Sequence, residues 1–101
     1  SKSIRSRVKQ ARIIQDERFK GSNIWCNALM TNRHLKEFCQ VTPEGERILE
    51  RAVDLLGFSA RACHSAVRVA RTIADLDNSG RIELQHLSEA IGLRNFDRIK
   101  I

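Results

Sequence analysis

The residues best suited to chemistry stand at the start of one helix. Ser59 is a good N-cap, and residues 60–76 after it carry helical periodicity. With Arg61 at 0° and about 100° per residue, His64, Arg68, Arg71 and Asp75 fall within about 80° of it. The other side is apolar: Ala62, Ala66, Val67, Val69, Ala70, Ile73, Ala74 and Leu76. The pattern predicts a central helix with a broad buried face of small residues and a narrow cationic stripe. Arg61 would occupy the first turn, where backbone N–H groups are unpaired and acids are favoured. A cation there costs roughly 0.3–1 kcal/mol unless something offsets it. Two readings fit. One is a phosphate receptor, in which the helix N-terminus and the guanidinium fork share an anion. The other is an arginine whose stem covers apolar surface or whose head pairs with an acid on a neighbouring helix.

A second constellation follows directly. Asp75-Leu76-Asp77-Asn78-Ser79-Gly80-Arg81-Ile82-Glu83 matches the first nine positions of an EF-hand calcium loop. His86 stands at position twelve, where a bidentate glutamate belongs. The competing reading is a polar turn between helices, bent at Asn78 and Gly80. Cys26, Cys39 and Cys63 are odd in number and irregularly spaced, against a disulfide framework and for a reducing compartment. With His34, His64 and His86 they form no C-x-x-C or H-x-x-x-H pair, so no metal site is expected.

Gly21, Gly45, Gly57, Gly80 and Gly92 stand alone, and neither G-x-x-x-x-G-K-[ST] nor G-x-G-x-x-G can be built from them. The chain is 101 residues long, 42% hydrophobic and 30% charged, which suits one small domain. By itself it is therefore not expected to be an enzyme acting on nucleotides. No apolar run nears the ~20 residues of a membrane span, and no basic-then-apolar leader opens the chain. A cytoplasmic protein is expected. The net charge of +6 is uneven: residues 1–40 hold nine Lys/Arg and three Asp/Glu, and residues 41–101 hold nine of each. That basic excess fits either a solvated face or a polyanion partner, with Arg5, Lys9 and Arg12 as its exposed stripe.

The elements that must position these residues read as helix after helix. A first helix over 3–19, capped by Ser3 and stopped by Gly21-Ser22-Asn23, would bury Ile4, Val8, Ala11, Ile14 and Phe19. Residues 20–31 read as a loop whose Ile24, Trp25, Ala28, Leu29 and Met30 must bury something. Thr31 caps a short helix over 32–39. Thr42-Pro43-Glu44 opens a helix that buries Ile48, Leu49, Ala52, Leu55 and Leu56 and ends at Gly57. A last helix spans about 83–92, with Leu84, Leu87 and Ile91 inward. The expectation is an all-α domain, a small bundle of about five helices.

Leu56-Gly57-Phe58-Ser59-Ala60-Arg61-Ala62-Cys63-His64, continuing through Val69-Ala70-Arg71-Thr72-Ile73-Ala74-Asp75-Leu76, resembles a family signature. It is L-x-L-S-A-R-A-x-x-R-x-x-[KR]-V-A-R-T-I-A-D-L, from the C-terminal domain of bacterial magnesium-chelatase-like AAA+ ATPases of the competence-associated type. Ile4-Arg5-Ser6-Arg7-Val8 with Ala11-Arg12, Gln15 and Arg18-Phe19 resembles its opening. Asn27-Ala28, Met30-Thr31, Leu35 and Cys39 resemble its middle, and Ile82, His86-Leu87, Glu89-Ala90-Ile91 and Arg94 its close. Ser65 stands where the family often has arginine, and Leu93 where tyrosine is common.

The resemblance implies that residues 1–101 are a single helical lid, a fragment of a larger ATPase. Residues 1–20 would link it to a P-loop module of the same polypeptide. The missing initiator methionine fits a cut end at Ser1. In such enzymes the arginine opening the long lid helix is the sensor-2 residue, which reaches the γ-phosphate; Arg61 matches it. The resemblance also implies ATP and Mg2+ in the parent enzyme and none held by this fragment alone. A hexameric ring is implied, with DNA a possible substrate. Arg68, Arg71 and His64 would contact nucleotide or a neighbouring subunit. The basic face of Arg5, Lys9 and Arg12 would meet DNA or the nucleotide module. Two alternatives remain at this level: a stand-alone basic helical nucleic-acid-binding module, and a degenerate EF-hand-like calcium-binding domain.

Overall fold

A computed structural model describes the backbone of residues 2–99 and the side chains of residues 3–95. It contains five α-helices: α1 Lys2–Arg18, α2 Asn32–Phe38, α3 Pro43–Leu56, α4 Ala60–Leu76 and α5 Leu84–Ile99. One 3-10 turn, Asn27–Leu29, lies in the long connection after α1, and the described residues contain no strand. The all-α bundle expected from the sequence is the fold observed.

Capping chemistry sets most of the boundaries. Thr42 accepts a hydrogen bond from the Gly45 N–H at 3.1 Å, with Pro43 at the first helical position and Glu44 and Glu46 in the first turn. Gly57 closes α3 in the left-handed region at φ 71°, a conformation open to glycine at little cost. Thr31 and His34 form a reciprocal capping box on α2, in which His34 takes the place usually held by glutamate.

The core gathers around α4, which packs on α5, α1, α2, α3 and the 3-10 turn. Ala62, Ala66, Ala70 and Ala74 are buried along it. Their small side chains let Phe19, Phe58, Ile82, Leu87, Ala90 and Ile91 approach closely. Phe19 meets Phe38 edge-on, with ring centroids 5.4 Å apart. Cys39 packs against Met30, with its Sγ 3.8 Å from the thioether sulfur. Burial pushes the Cys39 thiol from its ordinary 9.0 up to about 11, so the folded state holds this proton more tightly. Its contribution to stability is complete below pH about 9 and is lost as pH rises to about 11. Melting temperatures measured over that range should fall more steeply for the native chain than for Cys39→Ala.

Several expectations are corrected. α1 begins at Lys2, so Ser3 lies inside it rather than capping it; Ser1 is outside the described residues. Ala11 and Phe19 are buried as expected, but Ile4 is 60% exposed, one turn outside the point where Arg7 anchors α1. Leu55 is 72% exposed because it lies about 80° off the line of Ala52 and Leu56 that faces the core. Trp25, expected to be buried, is 71% exposed. α5 continues past Gly92 to Ile99, and a Cβ on Gly92 would meet open space.

Candidate functional site

The site is assembled at the N-terminal end of α4. Ser59 adopts an extended backbone, and its hydroxyl accepts from the Ala62 N–H at 3.1 Å. The Cys63 N–H reaches the Ser59 carbonyl at 3.0 Å and begins the helical ladder. The N–H groups of Ala60 and Arg61 precede that ladder and stay open to an anion. Removing the hydroxyl with Ser59→Ala should cost roughly 0.5–2 kcal/mol, measured by urea unfolding followed through helical circular dichroism.

The Arg61 side chain is exposed and makes no hydrogen bond or ion pair among the described residues. The sequence left open an acid on a neighbouring helix as its partner; none among the described residues takes that role. Residues Ala60, Cys63 and His64 border a groove of ≈ 580 Å³ between α2, α3 and α4. Leu35, Leu49, Val53 and Val67 make its apolar lining, with Lys36, Glu46 and Glu50 among its charged residues. Half-buried His64 thus belongs with Arg61, one turn along the same end of the helix.

The rest of the expected stripe turns inward. Arg68 is half-buried and donates to the Met30 carbonyl at 3.2 Å. Arg71 is 4% exposed. Its Nε donates to Asp75 at 3.2 Å, and its terminal nitrogens reach the carbonyls of Ser79 at 2.8 Å and Gly80 at 3.5 Å. Burial pulls Arg71 below the usual arginine range, and the charge of Asp75 opposes that shift. Arg71 therefore holds the turn after α4 together, and its guanidinium does not face the surface at which nucleotide or subunit contacts were expected.

Asp75 organises the opposite end of the helix and is fully buried. Arg18 grips it with two bonds, at 2.7 and 2.8 Å, in the parallel fork geometry that suits guanidinium and carboxylate. The Asn27 amide adds a third donor at 2.8 Å, and its oxygen accepts from Arg18 at 2.9 Å. Gln15 accepts from the Asn27 backbone N–H at 3.0 Å. On the other side of buried Ala11, Arg7 donates to the Leu76 carbonyl and to Asp77, both at 3.1 Å. Two arginine anchors thus fasten α1 across the last turn of α4.

The same contacts remove the calcium reading. Both oxygens of Asp75 are taken by Arg18, Arg71 and Asn27, and those of Asp77 by Arg7 and His86. His86 Nδ1 accepts from the Glu83 N–H at 3.0 Å, so its Nε2 carries the proton toward Asp77 at 2.9 Å. A divalent cation would meet three guanidiniums in this turn, those of Arg7, Arg18 and Arg71. Among the described residues no group of three His, Cys, Asp or Glu side chains is arranged for a metal. Nor is any described helix long and apolar enough to cross a membrane.

Sequence reasoning singled out Arg61 but missed Arg7, Arg18 and Asn27 as the residues that fix α4. Their only signal was membership of the opening and middle motifs. Arg5, Lys9 and Arg12 are exposed on α1 without an ion pair or hydrogen-bond partner among the described residues.

Fold and site together define a small all-helical module that presents, at a capped helix start, an arginine unpaired among the described residues. Known proteins make the class specific. A family model described as magnesium chelatase, subunit ChlI C-terminal, matches residues 1–94, and the chain belongs to that family. The uncharacterized protein YifB of Escherichia coli is 38% identical over 101 residues, covering 100% of this chain and 19% of that protein. The competence protein ComM of Haemophilus influenzae is 36% identical over 99 residues, covering 98% of this chain and 19% of that protein. The uncharacterized protein YifB of Salmonella typhimurium is 39% identical over 75 residues, 74% of this chain and 15% of that protein. The chain spans about a fifth of the length of the first two of these relatives. No solved structure matches it.

Proposed function

We propose that this chain is the helical lid of an AAA+ ATPase and that Arg61 is its sensor-2 residue. The observation that carries the reading is an exposed arginine, unpartnered among the described residues, in the first turn of the central helix ahead of its hydrogen-bond ladder. An arginine at that place has a reason to exist when another domain brings it an anion. ATP and Mg2+ would be held by a P-loop module of the same polypeptide, within the four-fifths of the relatives' length that this chain does not cover.

Arg61 then does two things. Its fork stabilises negative charge on the transferring phosphoryl group, the dominant demand of that reaction. When the phosphate leaves, Arg61 loses its partner and the lid is released to a different orientation. α4 carries this change as a body, because Arg18 and Arg7 bind its far end to α1. His64 and Arg68 are the next candidates for contact with nucleotide or an adjoining subunit, His64 first because Arg68 already donates to Met30. A ring of such subunits, hexameric in this family, working in the cytoplasm follows from the same reading. Competence-related DNA handling is its biological setting, drawn from the name of the Haemophilus relative. The test is ATP turnover by the full-length protein carrying Arg61→Ala, which should fall sharply while the fold persists.

A further inference from the structure

We infer that the open face of α1 and the adjoining Trp25 form a binding site for single-stranded nucleic acid. The site is at the opposite end of α4 from Arg61, and the inference does not rest on the sensor reading. The described cations of α1 divide into two sets. Arg7 and Arg18 point at α4 and are consumed by Asp75, Asp77, Asn27 and the Leu76 carbonyl. Arg5, Lys9 and Arg12 lie within about 60° of one another on a helical projection, on a different face. All three are exposed and unpaired among the described residues. Among the described side chains of α1, the free cationic charge is thus gathered in one stripe.

Beside that stripe runs a groove lined by Val8, Arg12, Gln15, Trp25, Thr72 and Leu76, among others. Trp25 stands 71% exposed at it, the largest aromatic surface a protein can offer and the only tryptophan in the chain. An unpaired cation row with an exposed indole is the combination that binds single strands: the cations track phosphates and the ring stacks a base. Gln15 uses its oxygen on Asn27, and its amide NH2, without a partner among the described residues, is a donor for a base edge. Asp16 lines the same groove and supplies an acceptor for exocyclic amino groups. A protein partner would also cover Trp25 and Val8. It would need acids to match Arg5, Lys9 and Arg12, whereas a nucleic acid carries phosphates at every residue.

The chain itself provides the test, because its single tryptophan reports the site. A labelled oligothymidylate of about 16 nucleotides is titrated while Trp25 emission and probe anisotropy are followed. Stacking should quench the tryptophan in step with binding, and three phosphate contacts give a log–log salt slope of about −2. Trp25→Ala should weaken binding by about 5–150-fold, Trp25→Phe should restore most of it, and Lys9→Gln should lower the slope by about 0.7. Trp25 is exposed, so circular dichroism and melting of these variants should match the native chain. Three results would overturn the inference. One is undiminished binding by Trp25→Ala without quenching, the behaviour of charge alone. Another is a duplex bound as tightly as the single strand. The third is tryptophan burial that follows protein concentration without nucleic acid, which would give the face to a second copy of the chain.

Discussion

Asp75→Ala should destabilise the chain by about 3–5 kcal/mol, the cost of leaving buried arginines without their anion. Small domains have only about 5–15 kcal/mol in total, so a melting temperature lower by tens of degrees is expected. The reason is geometric. Asp75 is fully buried, and Arg18 and Arg71, with 11% and 5% of their side chains exposed, both converge on it. Without the carboxylate two guanidiniums and the Asn27 amide face each other in a site with little water. Asp75→Asn should do little better, because the amide remains neutral and brings donors of its own. Combining Asp75→Ala with Arg18→Met should recover part of the loss, since it removes one stranded charge. Thermal unfolding followed at the helical dichroism band measures all three. A melt for Asp75→Ala within a few degrees of the native chain would show that the cluster does not hold α1 on α4.

The contrast between the two ends of α4 explains what the sequence could and could not reveal. The helices were legible because Thr42-Pro43, Gly57 and Ser59 are local signals that act on their own backbone. The anomaly of Arg61, though not its exposure, was legible for the same reason: a cation in a first turn breaks a local rule. Asp75 was misleading. Helical periodicity put it on the polar stripe beside Arg68 and Arg71, and residue spacing made it the first position of a calcium loop. Its real partners, Arg18 and Asn27, lie 57 and 48 residues away. No pattern within one element encodes such a pairing. Trp25 misled in the opposite direction, because residue type argued for burial while the short 3-10 turn after it gives the indole nothing to sit beneath. The buried face of α3 was read correctly at Ala52 but drawn too wide, to Leu55, which lies off the line of Ala52 and Leu56 that faces the core.

Arg61→Ala is expected to separate folding from function. The side chain is exposed and bonds to nothing among the described residues, so unfolding of this chain should be almost unchanged. Its effect belongs to the longer polypeptide. Losing a preorganised donor to a developing phosphoryl charge typically lowers turnover by about 10²–10³-fold. The loss should appear in kcat more than in nucleotide affinity, because the P-loop module makes most of the ground-state phosphate contacts. Arg61→Lys keeps the charge but not the fork and should restore only part of the rate. The contrast with Asp75 is sharp: one residue carries stability without reaching the anion, and the other would reach the anion without carrying stability.

The most direct measurement is steady-state ATP hydrolysis by the full-length protein with Arg61→Ala, beside a melting curve of the same preparation. A native-like melt with kcat reduced about 10²–10³-fold is the expected result. A native-like melt with undiminished turnover would contradict it.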